Sequence, residues 1–141
     1  MVILCSDHAG LNLKQSVIKH LEEKKIEYID VGAKELNPLD SFVDYAKTAS
    51  KLVAENPLNK GVFICGSGVG MCIVANKQKG IFAVNGYSED IVIRARQHNN
   101  VNVLCLGEKF VSENSASRMV DALLFTDFFG GKYEDRLNNI E

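Results

Sequence analysis

A cysteine stands directly before a glycine-rich turn near the middle of the chain. An apolar run at residues 62–64 leads into Cys65, and Gly66-Ser67-Gly68-Val69-Gly70 follows at once. Apolar β-branched and aromatic residues bounded by glycines are typical of a buried strand. Glycines after such a strand let the backbone approach a ligand closely and direct its N–H groups at an anion. The pattern therefore indicates a thiol that acts as a base or nucleophile beside an anion-binding turn.

Two common phosphate-binding motifs do not describe this turn. A dinucleotide fingerprint reads Gly-x-Gly-x-x-Gly, and Met71 stands where it should be completed. A P-loop closes with Gly-Lys-Ser/Thr, whereas this chain has Gly70-Met71-Cys72. A tight turn without any ligand also accounts for the glycines, and a lone cysteine is more often a small buried hydrophobic residue than a base. The interpretation of Cys65 as a functional thiol therefore depends on what else converges on it.

The composition excludes several classes of protein. The 141 residues suit one domain, residues 1–141, with one hydrophobic core. A net charge of −2, from 16 basic and 18 acidic residues, predicts neither nucleic acid nor an anionic membrane as a partner. No apolar run approaches the ~20 residues of a membrane span, and the N-terminus does not resemble a signal peptide. The four cysteines form no Cys-x-x-Cys pair, so we expect reduced thiols in the cytoplasm rather than disulfides or a zinc site.

Strands and helices are predicted to alternate along the chain. The predicted strands are residues 2–5, 27–31, 61–65, 81–84 and 102–106, and the predicted helices are residues 11–24, 42–55, 88–98 and 112–124, with a further helix that begins at residue 69. Nearly continuous apolar strands separated by helices predict a doubly wound α/β fold, Rossmann-like or flavodoxin-like, in which a five-stranded parallel sheet forms the middle of three layers. The expected strand order is 2-1-3-4-5. Residues 34–41 are predicted as a loop, and the charged tail 132–141 as a last, partly detached helix.

That strand order predicts where a site should form. Ligands bind doubly wound sheets at the carboxyl ends of the strands, at the point where the strand order reverses. In the expected order this point lies between strands one and three. Ser6-Asp7-His8-Ala9-Gly10 follows the first strand and Gly66-Ser67-Gly68 follows the third. The two most polar turns of the chain are therefore expected to face each other, which favours an active site over a structural turn.

Five motifs of the chain can be compared with known families: Asp7-His8-Ala9-Gly10, Ile64-Cys65-Gly66-Ser67-Gly68-Val69-Gly70, Ala75-Asn76-Lys77, Arg96-Gln97-His98-Asn99 and the closing Phe129-Gly130-Gly131-Lys132. With these motifs the chain resembles the B-type ribose-5-phosphate isomerases, a family that includes the galactose-6-phosphate isomerase subunits and an allose-6-phosphate isomerase. The motifs cover essentially the whole chain in order and spacing. The resemblance implies one sugar-phosphate isomerase domain that interconverts ribose 5-phosphate and ribulose 5-phosphate. It also implies catalysis without a metal or cofactor, in homodimers or pairs of dimers.

The resemblance assigns catalytic roles to three side chains. Cys65 matches the base, Ser67 a hydroxyl that relays protons, and His98 the histidine that opens the sugar ring. A free thiol is mostly protonated at neutral pH, so the base would need backbone dipoles that favour its thiolate. The N–H groups of the turn with Gly66, Gly68 and Gly70 would also stabilise the developing oxyanion. In the alternative interpretation, Ser67 only caps the next helix and His98 only caps helix-end carbonyls.

The substrate contacts implied by the family include three departures from its usual pattern. Asp7 and Asn99 match contacts to sugar hydroxyls and His8 a contact to phosphate, while Lys109, Lys132 and Arg136 align with phosphate-binding arginines. The two lysines supply charge without the planar fork of arginine. The family's Asp-Tyr-Pro is here Ser41-Phe42-Val43, which removes a phenol near the sugar. Met71 stands where some members have a catalytic glutamate, so the chain fits the cysteine-base group.

The residues together predict a cytoplasmic isomerase of ribose 5-phosphate. The alternatives are an isomerase of a six-carbon sugar phosphate, such as galactose or allose 6-phosphate, and a non-catalytic nucleotide-binding module. A nucleotide binder has no need of Cys65 and His98 together. In the expected strand order, His98 and Lys109 lie in the far half of the sheet, several strands from Cys65 at ~5 Å per strand. We therefore expect a symmetric dimer in which these two residues reach the crevice of the partner subunit.

Overall fold

The computed structural model describes residues 1–140 and contains a parallel sheet with helices on both faces. The strands are β1 (Val2–Ser6), β2 (Tyr28–Asp30), β3 (Lys60–Cys65), β4 (Ala83–Asn85) and β5 (Val103–Gly107). The helices are α1 (Leu11–Glu23), α2 (Phe42–Ala54), α3 (Val69–Asn76), α4 (Glu89–Asn99), α5 (Glu113–Phe125) and α6 (Lys132–Leu137). A 3₁₀ turn (His8–Gly10) joins β1 to α1. The predicted strands and the helices up to α5 are confirmed.

The strand order is β2-β1-β3-β5-β4, with every neighbouring pair parallel. The predicted three-layer α/β fold is confirmed, but the expected order 2-1-3-4-5 is wrong in its last two places. All of β5 is buried, whereas the three residues of β4 are half-buried. A continuous apolar strand loses more water-exposed surface inside a sheet, and a short polar-ended strand suits the edge. As a result β5 pairs directly with β3, and Gly107 lies opposite Cys65.

Different helices cover the two faces of the sheet. Helices α1, α4 and α5 pack on the face that contains Leu4 and Leu104, and α2 and α3 pack on the face that contains Cys5 and Phe63. Neighbouring residues of a strand point to opposite faces, so the apolar run of each central strand contributes to both cores. Burial on both faces holds the carboxyl ends of β1, β3 and β5 at one edge of a rigid layer.

The helix starts differ between α3 and its neighbours. Ser41, Ser88 and Ser112 begin α2, α4 and α5 by accepting hydrogen bonds from backbone N–H groups at 3.2, 3.4 and 3.1 Å. Helix α3 begins instead after Gly68, which has a φ of 83° and no capping side chain. A Cβ at Gly68 would lie 2.6 Å from Asn85 Oδ1, so both the conformation and the space require glycine. Gly68 therefore contributes no capping side chain to the N-terminus of α3.

The C-terminal tail carries the sixth helix. Helix α6 spans the first six residues of the predicted tail helix and has no buried residue, as its charged composition predicts. Glu141, at the end of that predicted segment, lies outside the described residues. Through residue 140, no helix combines the length and the apolar character needed to cross a membrane. All four cysteines are free thiols.

Candidate active site

A crevice of about 410 Å³ lies at the carboxyl ends of β1, β3 and β5. Its lining residues are Asp7, Phe42, Cys65, Gly66, Ser67, Gly70, Lys109 and Phe110. At this position the connection after β1 leads to β2 on one side of the sheet, and the connection after β3 leads to β4 on the other side. Such a reversal is the expected ligand site of a doubly wound sheet. The structure therefore brings together the predicted residues of the first and third strand ends.

The thiol of Cys65 lies against the glycine turn that follows it. The Gly68 N–H donates to Cys65 Sγ at 3.1 Å, and the residue is only 6% exposed. A backbone N–H directed at sulfur, at the start of a helix, favours negative charge on that sulfur. The thiol also faces the crevice, since Cys65 is one of its lining residues. This geometry suits a thiolate base better than a purely structural cysteine.

Ser67 has the capping interaction that was the alternative interpretation of this residue. Its Oγ accepts a hydrogen bond from the Val69 N–H at 3.2 Å. A hydroxyl oxygen has two lone pairs and its own proton, so the cap leaves the O–H free to donate. Ser67 also lines the crevice. Capping and proton relay are compatible roles for this side chain.

Asp7 is held rigidly at the end of β1. Its Oδ1 accepts a hydrogen bond from the Ala9 N–H at 3.0 Å, and the residue is 7% exposed. Burial raises the pKa of Asp7 above its ordinary value, although the Ala9 N–H and the neighbouring His8 act in the opposite direction. A fixed carboxyl group at the crevice wall is suited to bind sugar hydroxyls.

Asp40 orients His8, and the sequence contained no signal for this pairing. His8 Nδ1 lies 2.7 Å from Asp40 Oδ1, and the Tyr45 hydroxyl donates to Asp40 Oδ2 at 3.3 Å. Burial by itself would raise the pKa of Asp40, but hydrogen bonds from the His8 side chain and backbone lower it below its ordinary value. An ionised carboxylate only accepts, so Nδ1 of His8 carries a proton and Nε2 is left for a ligand. The partners are 32 residues apart, with His8 in the 3₁₀ turn and Asp40 in the loop before α2.

Asp7, His8 and Asp40 meet a geometric requirement for binding a cation. One ligand atom each of Asp7, His8 and Asp40 lies within 4.8 Å of the others. Carboxylate oxygens and an imidazole nitrogen are common metal ligands. The 2.7 Å hydrogen bond between His8 and Asp40 already satisfies both of those groups. The trio is therefore explained as the hydrogen-bonded pair of His8 and Asp40 beside Asp7, which lines the crevice.

Lys109 lies in the same crevice as Cys65 of its own chain, which corrects the expectation that a partner supplies it. The Lys109 N–H donates to the Gly66 carbonyl at 3.1 Å, and a Cβ on Gly66 would lie 3.8 Å from Lys109 Cε. The physical reason is the strand order, because β5 is the direct neighbour of β3. The loop after β5 thus brings its lysine to the crevice without crossing the sheet.

Phe42 replaces the expected phenol with an apolar surface. A Cβ on Gly70 would lie 2.7 Å from the Phe42 ring, so the ring packs directly on the backbone of the turn. Phe42 and Phe110 both line the crevice, and Phe110 is 67% exposed. One wall of the crevice is therefore apolar, opposite the charged wall of Asp7 and Lys109.

The predicted residues His98, Lys132 and Arg136 lie with two aromatic residues in a second cluster. We call it the tail cluster: His98, Phe129, Lys132, Tyr133 and Arg136. The rings of His98 and Tyr133 stack with centroids 4.4 Å apart. The cations of Lys132 and Arg136 lie 5.2 and 5.7 Å from the centroid of the Tyr133 ring. Asn99 lines a separate groove that also involves α6. None of these five, nor Asn99, is among the residues that line the Cys65 crevice of the same chain within residues 1–140.

A doubly wound α/β fold holds a thiol, a carboxyl group and a lysine in the crevice at its switch point. The chain belongs to the Ribose/Galactose Isomerase family, whose model matches residues 2–140. It is 44% identical over 139 residues to the probable ribose-5-phosphate isomerase B of Mycoplasma pneumoniae. That alignment covers 99% of this chain and 91% of the Mycoplasma pneumoniae protein. The ribose-5-phosphate isomerase B of Escherichia coli is 38% identical over 137 residues. That alignment covers 95% of this chain and 89% of the Escherichia coli protein.

Solved structures agree with these relatives over the whole fold. The ribose-5-phosphate isomerase B of Mycoplasma genitalium, crystallised with bound ribulose-5-phosphate, matches with a TM-score of 0.93 and 38% identity. The match covers 97% of this chain and 91% of that one. A ribose 5-phosphate isomerase from Thermotoga maritima matches with a TM-score of 0.92 and 36% identity, over 97% and 94% of the two chains.

Proposed function

We propose that this protein interconverts ribose 5-phosphate and ribulose 5-phosphate. The observation that carries the proposal is the Cys65 thiol, which accepts a hydrogen bond from Gly68 N–H at 3.1 Å in a crevice that also contains Asp7, Ser67 and Lys109. Support comes from the Mycoplasma genitalium relative, which was crystallised with bound ribulose-5-phosphate and shares the fold at 38% identity. A nucleotide-binding module would leave the thiol without a role.

The chemical step is a proton transfer between neighbouring carbons of the open-chain sugar. The Cys65 thiolate removes the proton from C2 of the aldose, and the C2–H electron pair forms the enediolate double bond while the C1 carbonyl oxygen becomes an oxyanion. N–H groups of the glycine turn stabilise that oxyanion. Ser67 moves a proton from the C2 hydroxyl to the oxygen on C1, and the Cys65 thiol returns its proton to C1. No net oxidation occurs and no external reductant is needed.

Opening of the sugar ring and part of the phosphate binding would require the tail cluster. Ribose 5-phosphate exists mainly as a furanose, and His98 would move a proton from the anomeric hydroxyl to the ring oxygen to open it. Lys132 and Arg136 would bind phosphate together with His8 and Lys109, and Asn99 would bind the sugar. The tail cluster lies apart from the crevice of its own chain, so it would serve the crevice of a partner. We propose a homodimer, or a pair of dimers, with two equal shared sites.

The four free cysteines support a reducing compartment, and the cytoplasm is the location that we propose. The reaction chemistry needs neither a metal nor a redox cofactor, because proton transfer is carried by side chains. The whole of residues 1–141 would act as one isomerase domain, in agreement with a family model that spans nearly the whole chain.

The proposed function is tested by turnover of the purified full-length chain. Ribose 5-phosphate in D₂O is followed by proton NMR, and we expect ribulose 5-phosphate with deuterium at C1, as exchange on the Cys65 sulfur requires. Allose 6-phosphate and galactose 6-phosphate are tested in parallel, and ATP and NAD are titrated as binding controls. Turnover of a six-carbon phosphate alone would replace the substrate assignment. Tight nucleotide binding without any isomerisation would contradict the proposed enzyme class.

A further inference from the structure

Tyr133 is the residue that contacts His98 most directly. The two ring centroids are 4.4 Å apart and the ring planes are 9° from parallel, which is a stacked arrangement. Phe129 contacts the same imidazole from the side, at 5.8 Å and 56°. The imidazole of His98 is thus enclosed by two aromatic rings of the C-terminal tail, and only one of them lies parallel to it.

Backbone contacts hold the Tyr133 ring in place. The Phe129 N–H donates to the Gln97 carbonyl at 3.0 Å, directly beside His98 in the chain. Arg96, which is 7% exposed, donates from Nε to the Thr126 carbonyl at 3.0 Å. The Tyr133 N–H donates to the Gly130 carbonyl at 3.1 Å at the start of α6. The end of α4 and the segment before α6 are therefore joined by two hydrogen bonds next to the stacked pair.

The same ring also contacts the two proposed phosphate cations. Lys132 Nζ lies 5.2 Å from the Tyr133 centroid and Arg136 Cζ lies 5.7 Å from it. Both distances are within the range of cation–π attraction. One aromatic ring thus contacts the histidine proposed to open the furanose and the cations proposed to hold its phosphate.

We propose that Tyr133 is a positioning residue for ring opening: its aromatic ring sets the plane of the His98 imidazole relative to the phosphate-binding cations. This role rests on the proposed function, since it acts through His98. A histidine at an exposed helix end can rotate about two side-chain bonds, and proton transfer to a ring oxygen requires one orientation. The stacked ring removes the other orientations before substrate binds. The phenol hydroxyl has no part in this role.

The test compares Tyr133→Leu, which removes the ring, with Tyr133→Phe, which removes only the hydroxyl. Phe125→Leu is the matched control, because Phe125 is also an aromatic residue near a cation, with Lys24 Nζ 5.7 Å from its centroid, yet it lies beside Met1 and Val2 at the other end of the sheet. The kcat is measured with saturating ribose 5-phosphate and with saturating ribulose 5-phosphate. The ratio of kcat/KM in the two directions is set by the equilibrium constant in every variant, so kcat is the informative quantity.

We expect Tyr133→Leu to lower kcat on ribose 5-phosphate by about two- to tenfold, the range that a stacked pair contributes, and to change kcat on ribulose 5-phosphate by less than about twofold. Tyr133→Phe and Phe125→Leu should match the wild type in both directions. A second readout is independent of turnover: NMR should show the His98 ring protons shifted upfield by the stacked ring in the wild type and in Tyr133→Phe, and returned toward free-histidine positions in Tyr133→Leu.

Three results would overturn the inference. An active wild type with an equally active Tyr133→Leu variant would remove the positioning role, and so would equal losses in Tyr133→Leu and Tyr133→Phe. A loss confined to KM in both directions would limit Tyr133 to support of the phosphate cations. A wild type with no turnover would instead contradict the proposed function itself, and the upfield shift of His98 would then decide separately whether the stack exists.

Discussion

The Cys65 crevice and the tail cluster differ in what holds their functional groups. The crevice is built on strand ends: Cys65 and Asp7 are 6% and 7% exposed, and backbone N–H groups bind both side chains. The tail cluster lies at the end of α4 and in the C-terminal tail, where α6 has no buried residue. Ring stacking and cation–π contacts hold the cluster together. The rigid sheet positions Cys65 within its own chain, whereas the tail cluster would take its position relative to that thiol from the partner surface that we propose.

This difference has a chemical counterpart. The crevice contains the groups proposed for the proton transfer between carbons, and the tail cluster contains those proposed for ring opening and for part of the phosphate binding. The first task requires sub-ångström placement of a base and of oxyanion donors. The second requires charge and one imidazole, which tolerate more freedom. The two regions can therefore be tested separately, by changes that affect one and leave the other intact.

The largest expected effect is that of Cys65→Ala, which removes the base from the crevice. General bases contribute about 10²- to 10⁴-fold, so kcat should fall by at least about a hundredfold in both directions. Cys72→Ala is the matched control, since Cys72 is a half-exposed thiol on α3 that is not among the crevice-lining residues, and it should keep wild-type turnover. More than about a tenth of the wild-type kcat in Cys65→Ala would contradict the role of the thiol.

Mixing two variants that are both impaired on ribose 5-phosphate, and assaying the mixture with that substrate, tests whether the two regions act across subunits. If Cys65→Ala and His98→Asn chains are exchanged in equal amounts, about half of the dimers are mixed and each has one intact shared site. Activity should therefore return to about a quarter of the wild-type value. Subunit exchange is verified by native mass spectrometry of isotope-labelled chains. Fully exchanged mixtures that stay inactive would show that both residues serve the crevice of their own chain.

His98→Asn alone should separate ring opening from proton transfer. We expect kcat on ribose 5-phosphate to fall by about ten- to a hundredfold, because the furanose occupies the site without opening. The kcat on ribulose 5-phosphate should fall much less, since that substrate has no furanose to open. His20→Asn is the control, because His20 pairs with Asp121 on the surface. Equal losses of kcat in both directions would assign His98 another role.

The smallest expected effect is that of Asp40→Asn, which keeps the shape beside His8 but removes the charge. The KM for ribose 5-phosphate should rise by about three- to tenfold, with a smaller change in kcat, because a charge-assisted hydrogen bond that orients His8 is weakened. Asp44→Asn, at an exposed position in the first turn of α2, is the control. An unchanged KM in Asp40→Asn would show that His8 needs no partner to bind phosphate.

The same variant has a consequence for stability at low pH. The folded protein lowers the pKa of Asp40, so its contribution to stability is fully present above the ordinary aspartate value of about 3.9 and is lost as the pH falls through the lower folded value. Melting temperatures measured across this acidic range should fall less steeply for Asp40→Asn than for the wild type. Parallel curves would mean that Asp40 titrates alike in the folded and unfolded chains.

Most of the secondary structure was predictable, and the arrangement of the edge strands was not. Each predicted strand and helix up to α5 begins and ends within two residues of its observed position. The prediction failed at β4 and β5, because hydrophobic periodicity reports which segment is a strand and not which strand lies beside it. The uninterrupted apolar sequence of β5 would have been the available signal for its inner position, since such a strand is disfavoured at a sheet edge.

The candidate site was predictable in its chemistry and only partly in its grouping. Cys65, Ser67 and Asp7 line one crevice as expected, because both of their turns follow neighbouring strands, and His8 lies beside Asp7 in a hydrogen bond with Asp40. Lys109 lies with this group and not with the tail cluster, because β5 is the neighbour of β3. The contacts of Asp40 with His8 and of Tyr133 with His98 had no local signal, since each pair is more than thirty residues apart in the chain.

The amino-acid sequence by itself determined the chemical groups of this protein: a thiol before a glycine turn, an imidazole at a helix end and cations in a polar tail. These properties are local, because they follow from residue type, from backbone freedom at Gly68 and from the periodicity of the flanking segments. The tertiary structure alone decided which groups share a crevice. That outcome depends on the balance of burial over the whole sheet, which places β5 inside and β4 at the edge, and no short segment of the chain contains that balance.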